Sequence, residues 1–426
     1  MPAVDMRLLY ISYFYPPLGG PASLRNVKTV KYLAESGIAC DVITVGDLEY
    51  LYRDASLLEE CRADRVIRTA SLDPMTLLRK AGKSRQEKVS PLYLNTPEKL
   101  KLWARRLYPI DNKIGWLPFL LAAGRKTLKE RDYDLIYISL GPFSSGLGAY
   151  YLSRGSGIPY ALDLRDYWNL LSDYDLQGSR LNKAFSRHWE AKLYRHASLL
   201  VTATRGIGED ICAAFGADLA DKTFTCYNGW DEEDFTGLPQ VEKEPGFELA
   251  YFGAIYARRS LKHFYRAVKR LRDERQLPPG TRIRLYGNYF RETLEEIGAS
   301  GIADLVGIVP QKEHRDALAA MLNADVLLLN LNSSGPRGTL SSKIFEYLRC
   351  QKPILAMVPA HNEAADLLRH NGQDHICAME SADSIYHCLK RLLGSESRAY
   401  GIPWELERRR QISKLAARLK SMQPAR

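Results

Sequence analysis

Apolar residues recur along the chain in two patterns: short runs rich in β-branched and aromatic residues, and longer stretches with apolar positions at helical spacing. The first pattern is typical of buried strands and the second of amphipathic helices. In the first half we predict strands at residues 7–13, 40–45, 135–139, 160–164, 199–202 and 223–227. Helices are predicted at 22–36, 144–153, 186–196 and 207–215. Such alternation predicts parallel strands joined by crossover helices.

The alternation restarts after a polar, proline-containing stretch. Strands are predicted at 248–252, 282–286, 303–306, 325–331 and 353–356, and helices at 260–274, 291–297, 314–322 and 341–349. A last helix is predicted from about residue 404 to residue 420. The sequence therefore predicts a first domain at 1–235, a linker at 236–247, a second domain at 248–401 and a C-terminal helical segment at 402–426.

Both domains are expected to be α/β, Rossmann-like and doubly wound. The chain has 426 residues, which is more than one hydrophobic core usually serves. Two such domains joined by one linker leave a cleft, and ligands of doubly wound sheets bind where the strands end. Ligand-binding and catalytic residues are therefore expected in the segments that follow the predicted strands.

Composition and charge indicate the cellular location of the protein and the kind of partner it binds. The seven cysteines are scattered without zinc-ligand spacing, which favours reduced thiols in a cytoplasmic protein. We expect no signal peptide and no spanning helix, because no apolar run approaches the roughly 20 residues that a bilayer requires. The net charge of +10 favours an anionic partner such as a nucleotide or an acidic lipid.

The positive charge is concentrated between residues 78 and 131. With Leu100, Trp103 and Leu107, this basic segment predicts peripheral contact with anionic lipid, or with a lipid-linked acceptor, at the inner face of the cell membrane. A solvated basic helix explains the same residues equally well. Nucleic-acid binding is the weaker interpretation, because the chain has no recognisable reading module.

The loop after the first strand, Pro16–Pro21, contains Gly19 and Gly20. Glycines there allow backbone N–H groups to approach a phosphate at the start of a helix. Arg25, one turn into that helix, is a candidate to face the same cleft. Taken alone, the loop is better explained as an ordinary strand-to-helix turn. Its spacing differs from the dinucleotide-binding fingerprint, which argues against a dehydrogenase.

The segment Ser333–Glu346 follows another strand and leads into a helix. Lys343 and Glu346 lie three positions apart, so they share one face of that helix. A lysine there can hold a diphosphate, and a carboxylate one turn later can accept the two vicinal hydroxyls of a ribose. The alternative is a salt bridge between them on a solvated helix, but the apolar Ile344, Phe345 and Leu348 place the helix in the core.

A third candidate segment, Tyr251–Arg259, ends the first strand of the second domain at Gly253. Glycine permits close approach of a ligand to the backbone, and Arg258 or Arg259 can clamp phosphate oxygens through paired hydrogen bonds. Lys262 is a further candidate. At least one of these cations is expected to face solvent only.

Two more motifs follow strands of the first domain. In Asp163–Trp168, Asp166 is placed to bind an acceptor hydroxyl, whereas a structural pair of Arg165 with Asp163 or Asp166 is an equal alternative. In Tyr227–Asp231, Asn-Gly predicts a tight turn, which is sufficient without any hinge or cleft-lining role.

In this order, the motifs resemble glycosyltransferase family 4 and its relatives on the GT-B fold. The resemblance covers nearly the whole chain and is carried by YFYPPLGGPASLRNVKTVKYLAESG, DLRDYW, YNGWDEEDF, YFGAIYARR and SSKIFEYLRCQKPILA. The last segment is similar to the family's Lys-x-x-Glu-Tyr-Leu donor helix and is the most specific. The C-terminal helix is then expected to cross back to the first domain.

The resemblance implies a hexosyltransferase that moves a sugar from a nucleoside-diphosphate sugar to a saccharide or lipid-linked acceptor, with retention and without a metal or other cofactor. It implies that Glu346 binds the donor ribose, that Lys343 and Arg259 hold the diphosphate, and that Gly19 and Gly20 line the catalytic cleft. Two positions depart from the family pattern. Gly338 replaces a second glutamate, and residues 138–142 lack the histidine of many members.

Two other functions remain open at this point. A nucleotide-sugar 2-epimerase would share the architecture and would form product without an acceptor. A degenerate transferase that serves as a binding or scaffold protein would neither hydrolyse nor transfer the donor sugar.

Overall fold

The computed structural model describes residues 4–46, 53–72, 108–170, 179–253, 255, 260–331, 335–395 and 398–423. The chain divides into two compact units. The first comprises Met1–Tyr227 together with Arg409–Arg426, and the second comprises Asn228–Arg408. The unit boundary thus lies inside the Tyr227–Asp231 motif, and the segment 236–247, predicted as the linker, belongs to the second unit.

The first unit is built from parallel strands and the helices that connect them. Its described strands are β1 (Met6–Ser12), β2 (Ile38–Val45), β3 (Arg65–Thr69), β4 (Leu135–Leu140), β5 (Tyr160–Leu164), β6 (Leu199–Thr202) and β7 (Thr223–Thr225). Its described helices are α1 (Pro21–Glu35), α2 (Leu117–Glu130), α3 (Ser145–Ser156), α4 (Arg180–His196) and α5 (Arg205–Phe215). Ser179 and Thr204 cap α4 and α5 by accepting backbone N–H bonds from Asn182 and Ile207.

The first sheet has the strand order β3-β2-β1-β4-β5-β6-β7. Tyr10 in β1 is aligned with Val42 on one side and with Tyr137 on the other, in parallel register. Chain order runs outward from β1 in one direction and from β4 in the other. The topological switch point, where doubly wound sheets bind ligands, therefore lies between β1 and β4.

The C-terminal helix packs on the first sheet. Helix α12 (Arg408–Lys420), numbered in chain order, places Ile412, Leu415 and Leu419 in one core with residues of β1, β2 and α1. Its last residue, Lys420, forms an ion pair with Asp5 at 2.7 Å. The final helix thus belongs to the first unit, as the fold prediction expects.

The second unit repeats the architecture. Its described strands are β8 (Glu248–Phe252), β9 (Arg282–Tyr286), β10 (Val306–Val309), β11 (Val326–Asn330), β12 (Ile354–Met357) and β13 (Ile376–Cys377). Its described helices are α6 (Lys262–Asp273), α7 (Arg291–Gly298), α8 (His314–Asn323), α9 (Lys343–Arg349), α10 (Glu363–His370) and α11 (Ala382–Gly394). The strand order is β10-β9-β8-β11-β12-β13, so its switch point lies between β8 and β11.

These sheets confirm the predicted α/β class with two Rossmann-like domains, and they add elements that the pattern did not predict. Strands β3 and β13 and helices α2, α10 and α11 were not expected, and residues 303–305 form a 3-10 turn before β10. Among the described residues, no helix is both long and apolar enough to cross a bilayer. All seven cysteines lie in described segments, and none forms a disulfide.

Candidate functional site

The switch point of the second sheet is formed by the ends of β8 and β11. Gly253 comes directly after β8, and Asn330 is the last residue of β11. Helix α9 then starts at Lys343. Candidate residues from two separate sequence segments therefore meet at the edge where a doubly wound domain binds its ligand.

Gly253 and Lys343 are in direct contact. The backbone of Gly253 has φ +110°, a conformation that residues other than glycine rarely adopt. A Cβ added at this residue would clash with the Lys343 ammonium and would lie 2.7 Å from its Cε. The ammonium also lies 5.4 Å from the ring centroid of Tyr251. A positive charge is therefore held against the end of β8.

Helix α9 is anchored by its apolar face. Ile344, Phe345, Tyr347 and Leu348 are buried, and the Phe252 N–H donates to the Tyr347 hydroxyl at 3.3 Å. Lys343 and Glu346 are partly exposed and lie three positions apart. The helix thus presents both polar groups along one side while its other side fixes it to β8.

Glu346 is bound by His314, the first residue of α8. The distance from His314 Nε2 to Glu346 Oε1 is 2.8 Å, and Glu346 is only 21% exposed. Burial lowers the pKa of His314, but the hydrogen bond and the negative charges of Glu346 and Asp234 outweigh it, so the net shift is upward. The sequence interpretation gave His314 no role. Its one available signal was its position at the start of a helix after β10.

A second ion pair fixes the turn that carries Asp234. Arg349, at the end of α9, donates from Nε and Nη2 to both oxygens of Glu232, each at 2.6 Å. Its guanidinium lies 4.8 Å from the Phe235 ring centroid. The 3-10 turn Glu232–Phe235 is therefore attached to α9 in a bidentate geometry, which holds Asp234 near His314.

The Asn228-Gly229 turn also contacts the segment that leads into α12. Gly229 has φ +62°, and an added Cβ would clash with the Leu406 carbonyl and lie 2.9 Å from the Arg408 nitrogen. The Arg408 N–H donates to the Trp230 carbonyl at 2.7 Å, and Arg408 Nε donates to the Asn228 carbonyl at 2.8 Å. The two stretches that connect this unit to the rest of the chain are thus hydrogen-bonded to each other.

The predicted phosphate clamp residues Arg258 and Arg259 lie outside the described residues. Lys262, the further candidate, is exposed at the first residue of α6. In the part of the site that the structure describes, the cation at the end of β8 comes from Lys343.

In the first unit, Gly20 precedes α1 with φ +90°, and an added Cβ would meet no atom within 4 Å. Its conformation, rather than lack of space, is what requires glycine. Gly19 beside it is buried. The Leu24 N–H donates to the Gly20 carbonyl at 3.1 Å, so the glycine loop leads directly into the first turn of α1.

Arg25 lies in a buried ion pair inside the first unit. It is buried and forms two hydrogen bonds with Asp163, from Nε to Oδ2 at 3.1 Å and from Nη2 to Oδ1 at 2.6 Å. Its guanidinium also donates to the Cys226 carbonyl. The suggestion that Arg25 faces the cleft is wrong, because its guanidinium forms an ion pair with the fully buried Asp163 carboxylate in β5.

Arg165 connects the ends of β1, β4 and β5. Its guanidinium lies 5.6 Å from the Phe14 ring centroid and donates to the Gly141 carbonyl at 3.2 Å. Arg165 Nε is 3.7 Å from Asp166 Oδ2, while the Asp166 side chain is 73% exposed. Of the two predicted partners of Arg165, Asp166 is therefore the neighbour, and Asp163 pairs with Arg25 instead. Asp166 remains open to solvent at the strand ends.

The two doubly wound domains, each with polar groups where its strands end, correspond to the GT-B fold. Residues 27–223, from α1 to β7, match the family model of the glycosyl transferase 4-like domain. The matched residues lie within the first unit, and the resemblance to glycosyltransferases of the family 4 type is confirmed. No curated protein sequence matches the chain at a significant level.

Solved structures share the fold over nearly the full length. Sucrose-phosphate synthase from Thermosynechococcus elongatus is 13% identical with a TM-score of 0.60, covering 98% of this chain and 95% of that one. The lipopolysaccharide outer core galactosyltransferase WaaB is 13% identical with a TM-score of 0.58, covering 97% and 100%. A putative UDP-N-acetylglucosamine 2-epimerase from Listeria monocytogenes is 11% identical with a TM-score of 0.57, covering 98% and 96%. At these identities the likeness shows the fold.

Proposed function

We propose that the protein is a glycosyltransferase that takes its sugar from a nucleoside diphosphate bound by the second unit. The observation that carries the proposal is the geometry at the β8/β11 switch point. There, the Lys343 ammonium lies against Gly253, and the Glu346 carboxylate lies one turn further along α9. A fixed cation suits a diphosphate, and a carboxylate at that spacing suits the vicinal hydroxyls of a ribose.

The chemical task is to stabilise the negative charge that develops on the leaving diphosphate as the bond to the sugar breaks. Lys343 is held in place by α9 and β8 before the reaction, so little reorganisation is needed when the charge develops. We propose that Arg259 completes this electrostatic clamp and that Arg258 supports it. Glu346 orients the nucleotide without taking part in bond making.

The acceptor side is assigned to the first unit. Gly19 and Gly20 end the loop after β1, and we assign their backbone N–H groups to the transferred sugar or its phosphate. Asp166, exposed at the end of β5, is the proposed partner of an acceptor hydroxyl. The transfer is proposed to be retaining and metal-independent, and no cofactor beyond the donor is proposed.

The acceptor class is a saccharide or lipid-linked saccharide of a surface polysaccharide or glycolipid. Support comes from the full-length similarity to WaaB, which is described as a lipopolysaccharide outer core galactosyltransferase.

Incubation with UDP, GDP, ADP and dTDP sugars, with and without candidate acceptors, tests the proposed transfer. The proposal predicts that one donor raises the thermal midpoint and that its sugar appears on an acceptor. A chain that binds none of these donors would contradict it.

A 2-epimerase is the second candidate, because several of the structurally similar proteins are described as UDP-N-acetylglucosamine 2-epimerases. The two activities separate cleanly in the same incubation. An epimerase converts the donor sugar in the absence of any acceptor, whereas a transferase requires one. A scaffold protein would bind the nucleotide and give neither product.

We further propose that the protein acts in the cytoplasm, in peripheral contact with anionic lipid through the first unit. The predicted basic segment falls largely on residues 73–107, outside the described residues. Helix α4 supplies independent support. Leu181 is 82% exposed, Phe185 43% and the neighbouring Tyr151 42%. The Trp189 ring contacts both aromatic residues, with centroids at 6.4 and 5.8 Å.

Charge on the same helix complements an acidic surface. Its basic residues are Arg180, Lys183, Arg187, Lys192 and Arg195. Its one acidic residue, Glu190, is buried and accepts hydrogen bonds from Asn169 and Tyr194. Exposed aromatic and aliphatic groups flanked by cations are typical of helices that lie at a membrane interface.

A further inference from the structure

The carboxylate proposed to bind the ribose already has a partner inside the protein. His314 Nε2 lies 2.8 Å from Glu346 Oε1, and the two residues come from different helices, α8 and α9. Glu346 is one-fifth exposed and His314 about two-fifths exposed, so the pair lies at the rim of the site and is open on one side. Both side chains are thus partly accessible to a ligand.

Charged groups surround the imidazole on several sides. Glu346 faces it from α9, Asp234 from the turn Glu232–Phe235, and Arg408 from the start of α12. The two acids keep a hydrogen on the nitrogen that faces Glu346, because a donor there is favoured beside negative charge. The Glu232–Arg349 ion pair holds Asp234 in that position. The geometry therefore makes His314 the donor and Glu346 the acceptor.

A carboxylate has two oxygens and about four acceptor sites. The imidazole uses one site on Oε1, which leaves Oε2 and the remaining sites for the hydroxyls of a ribose. A glutamate side chain loses rotamer freedom when it is fixed. If His314 fixes the carboxylate before the ligand arrives, less of that loss falls on ligand binding.

We propose that His314 is a positioning residue, which orients the Glu346 carboxylate so that it accepts both vicinal hydroxyls of the donor ribose. The inference rests on the proposed function, since it presumes a nucleotide at this site. It attributes the preference for a ribose over a 2′,3′-dideoxyribose to His314 and Glu346 together rather than to Glu346 alone.

The test measures the affinity for a nucleoside diphosphate and for its 2′,3′-dideoxy counterpart by calorimetry. The base is the one that binds the wild-type chain most tightly among uracil, guanine, adenine and thymine. The ratio of the two affinities isolates the ribose hydroxyls, because the base and the diphosphate are the same in both ligands. We expect the wild-type chain to prefer the ribonucleotide by about tenfold or more, as hydrogen bonds to a charged group are strong.

Three variants separate positioning from structure. His314→Ala is expected to reduce the preference to about threefold or less and to leave the dideoxy affinity within about twofold. His314→Gln, whose amide can still donate, restores part of the preference. Glu346→Ala removes it. His387→Ala, an exposed histidine on α11, is the matched control and changes neither affinity.

The outcomes distinguish the two hypotheses. If the wild-type chain binds no nucleoside diphosphate, or binds both forms equally, the proposed ribose site is wrong and the role of His314 falls with it. If the wild-type preference is present and Glu346→Ala removes it, while His314→Ala retains it in full, the donor site stands and the positioning role is refuted. Equal loss of both affinities in His314→Ala, without rescue by glutamine, would also refute positioning.

Discussion

The Lys343 ammonium lies directly against Gly253, so the cation at the start of α9 occupies the space where any other residue after β8 would carry its side chain. The two residues are 90 positions apart in sequence and meet because β8 and β11 are neighbours in the second sheet. This contact places a positive charge at the switch point of the second sheet. The ammonium can occupy this position only while residue 253 has no Cβ.

Replacement of Gly253 by alanine is therefore expected to weaken nucleotide binding. The new methyl group would displace the ammonium, and the backbone at φ +110° would be strained by about 1–3 kcal/mol. Calorimetric titration and a chemical denaturation curve measure the two effects. Gly298→Ala is the matched control, since an added Cβ there meets no atom within 4 Å on the exposed end of α7. Unchanged nucleotide affinity in Gly253→Ala would contradict the account of this contact.

The His314–Glu346 pair predicts a pH dependence of stability. The pKa of His314 is raised in the folded chain, so its contribution to stability is fully present below the unfolded value of about 6.5. The contribution is lost as the pH rises through the folded value. The stability difference between wild type and His314→Gln should therefore be larger at about pH 6 than at about pH 9.

Chemical denaturation at the two pH values measures that difference. The matched control is the same substitution in a Glu346→Gln background, where the carboxylate that raises the pKa is absent. The difference should then vary little between the two pH values. A difference that grows with pH in the wild-type background would show that the sign is wrong.

The buried pair of Arg25 and Asp163 is expected to be structural. Asp163→Asn leaves the Arg25 charge buried without its counter-ion, which costs about 3–5 kcal/mol of unfolding free energy. The exposed pair of Arg291 and Glu295 provides the comparison, because its loss should cost less than about 1 kcal/mol. Denaturation curves of Asp163→Asn and Glu295→Gln decide between them. Equal small effects would mean that the buried pair contributes little.

Helix α4 is expected to bind acidic vesicles. The double variant Leu181→Glu and Phe185→Glu removes exposed apolar surface and lowers the positive charge of the helix, so co-sedimentation with phosphatidylglycerol vesicles should fall several-fold. Neutral phosphatidylcholine vesicles should bind the wild-type chain weakly. The substitution Leu294→Glu, on exposed α7 of the second unit, is the control and should have no effect. Equal binding of wild type to neutral and acidic vesicles would exclude this surface.

The sequence predicted most of the architecture because buried parallel strands are strongly apolar. Strand β5, Tyr160–Leu164, is buried throughout and was predicted with the observed bounds. Strand β3, Arg65–Thr69, lies at the edge of the sheet and mixes arginines with apolar residues, so it gives no continuous apolar run. Strand β13 has two residues, which is too short for any periodicity.

Local pattern also placed Lys343 and Glu346 on one helix, since that prediction needs only their spacing. It could not reveal their partners. His314 is 32 positions from Glu346, and Asp163 is 138 positions from Arg25. Such pairs depend on which strands become neighbours. Arg25 was accordingly a candidate to face the cleft, whereas the β1–β4–β5 arrangement buries it against a carboxylate.

The central claim is that a nucleoside diphosphate docks at Lys343, and calorimetric titration of Lys343→Ala tests it most directly. The wild-type chain should bind one of UDP, GDP, ADP or dTDP. The variant should bind it at least about tenfold more weakly, because a charged hydrogen bond to the diphosphate is lost. Lys269→Ala, which removes an exposed lysine paired with Asp273, should leave the affinity unchanged. If folded Lys343→Ala binds the nucleotide as tightly as the wild-type chain, the claim is contradicted.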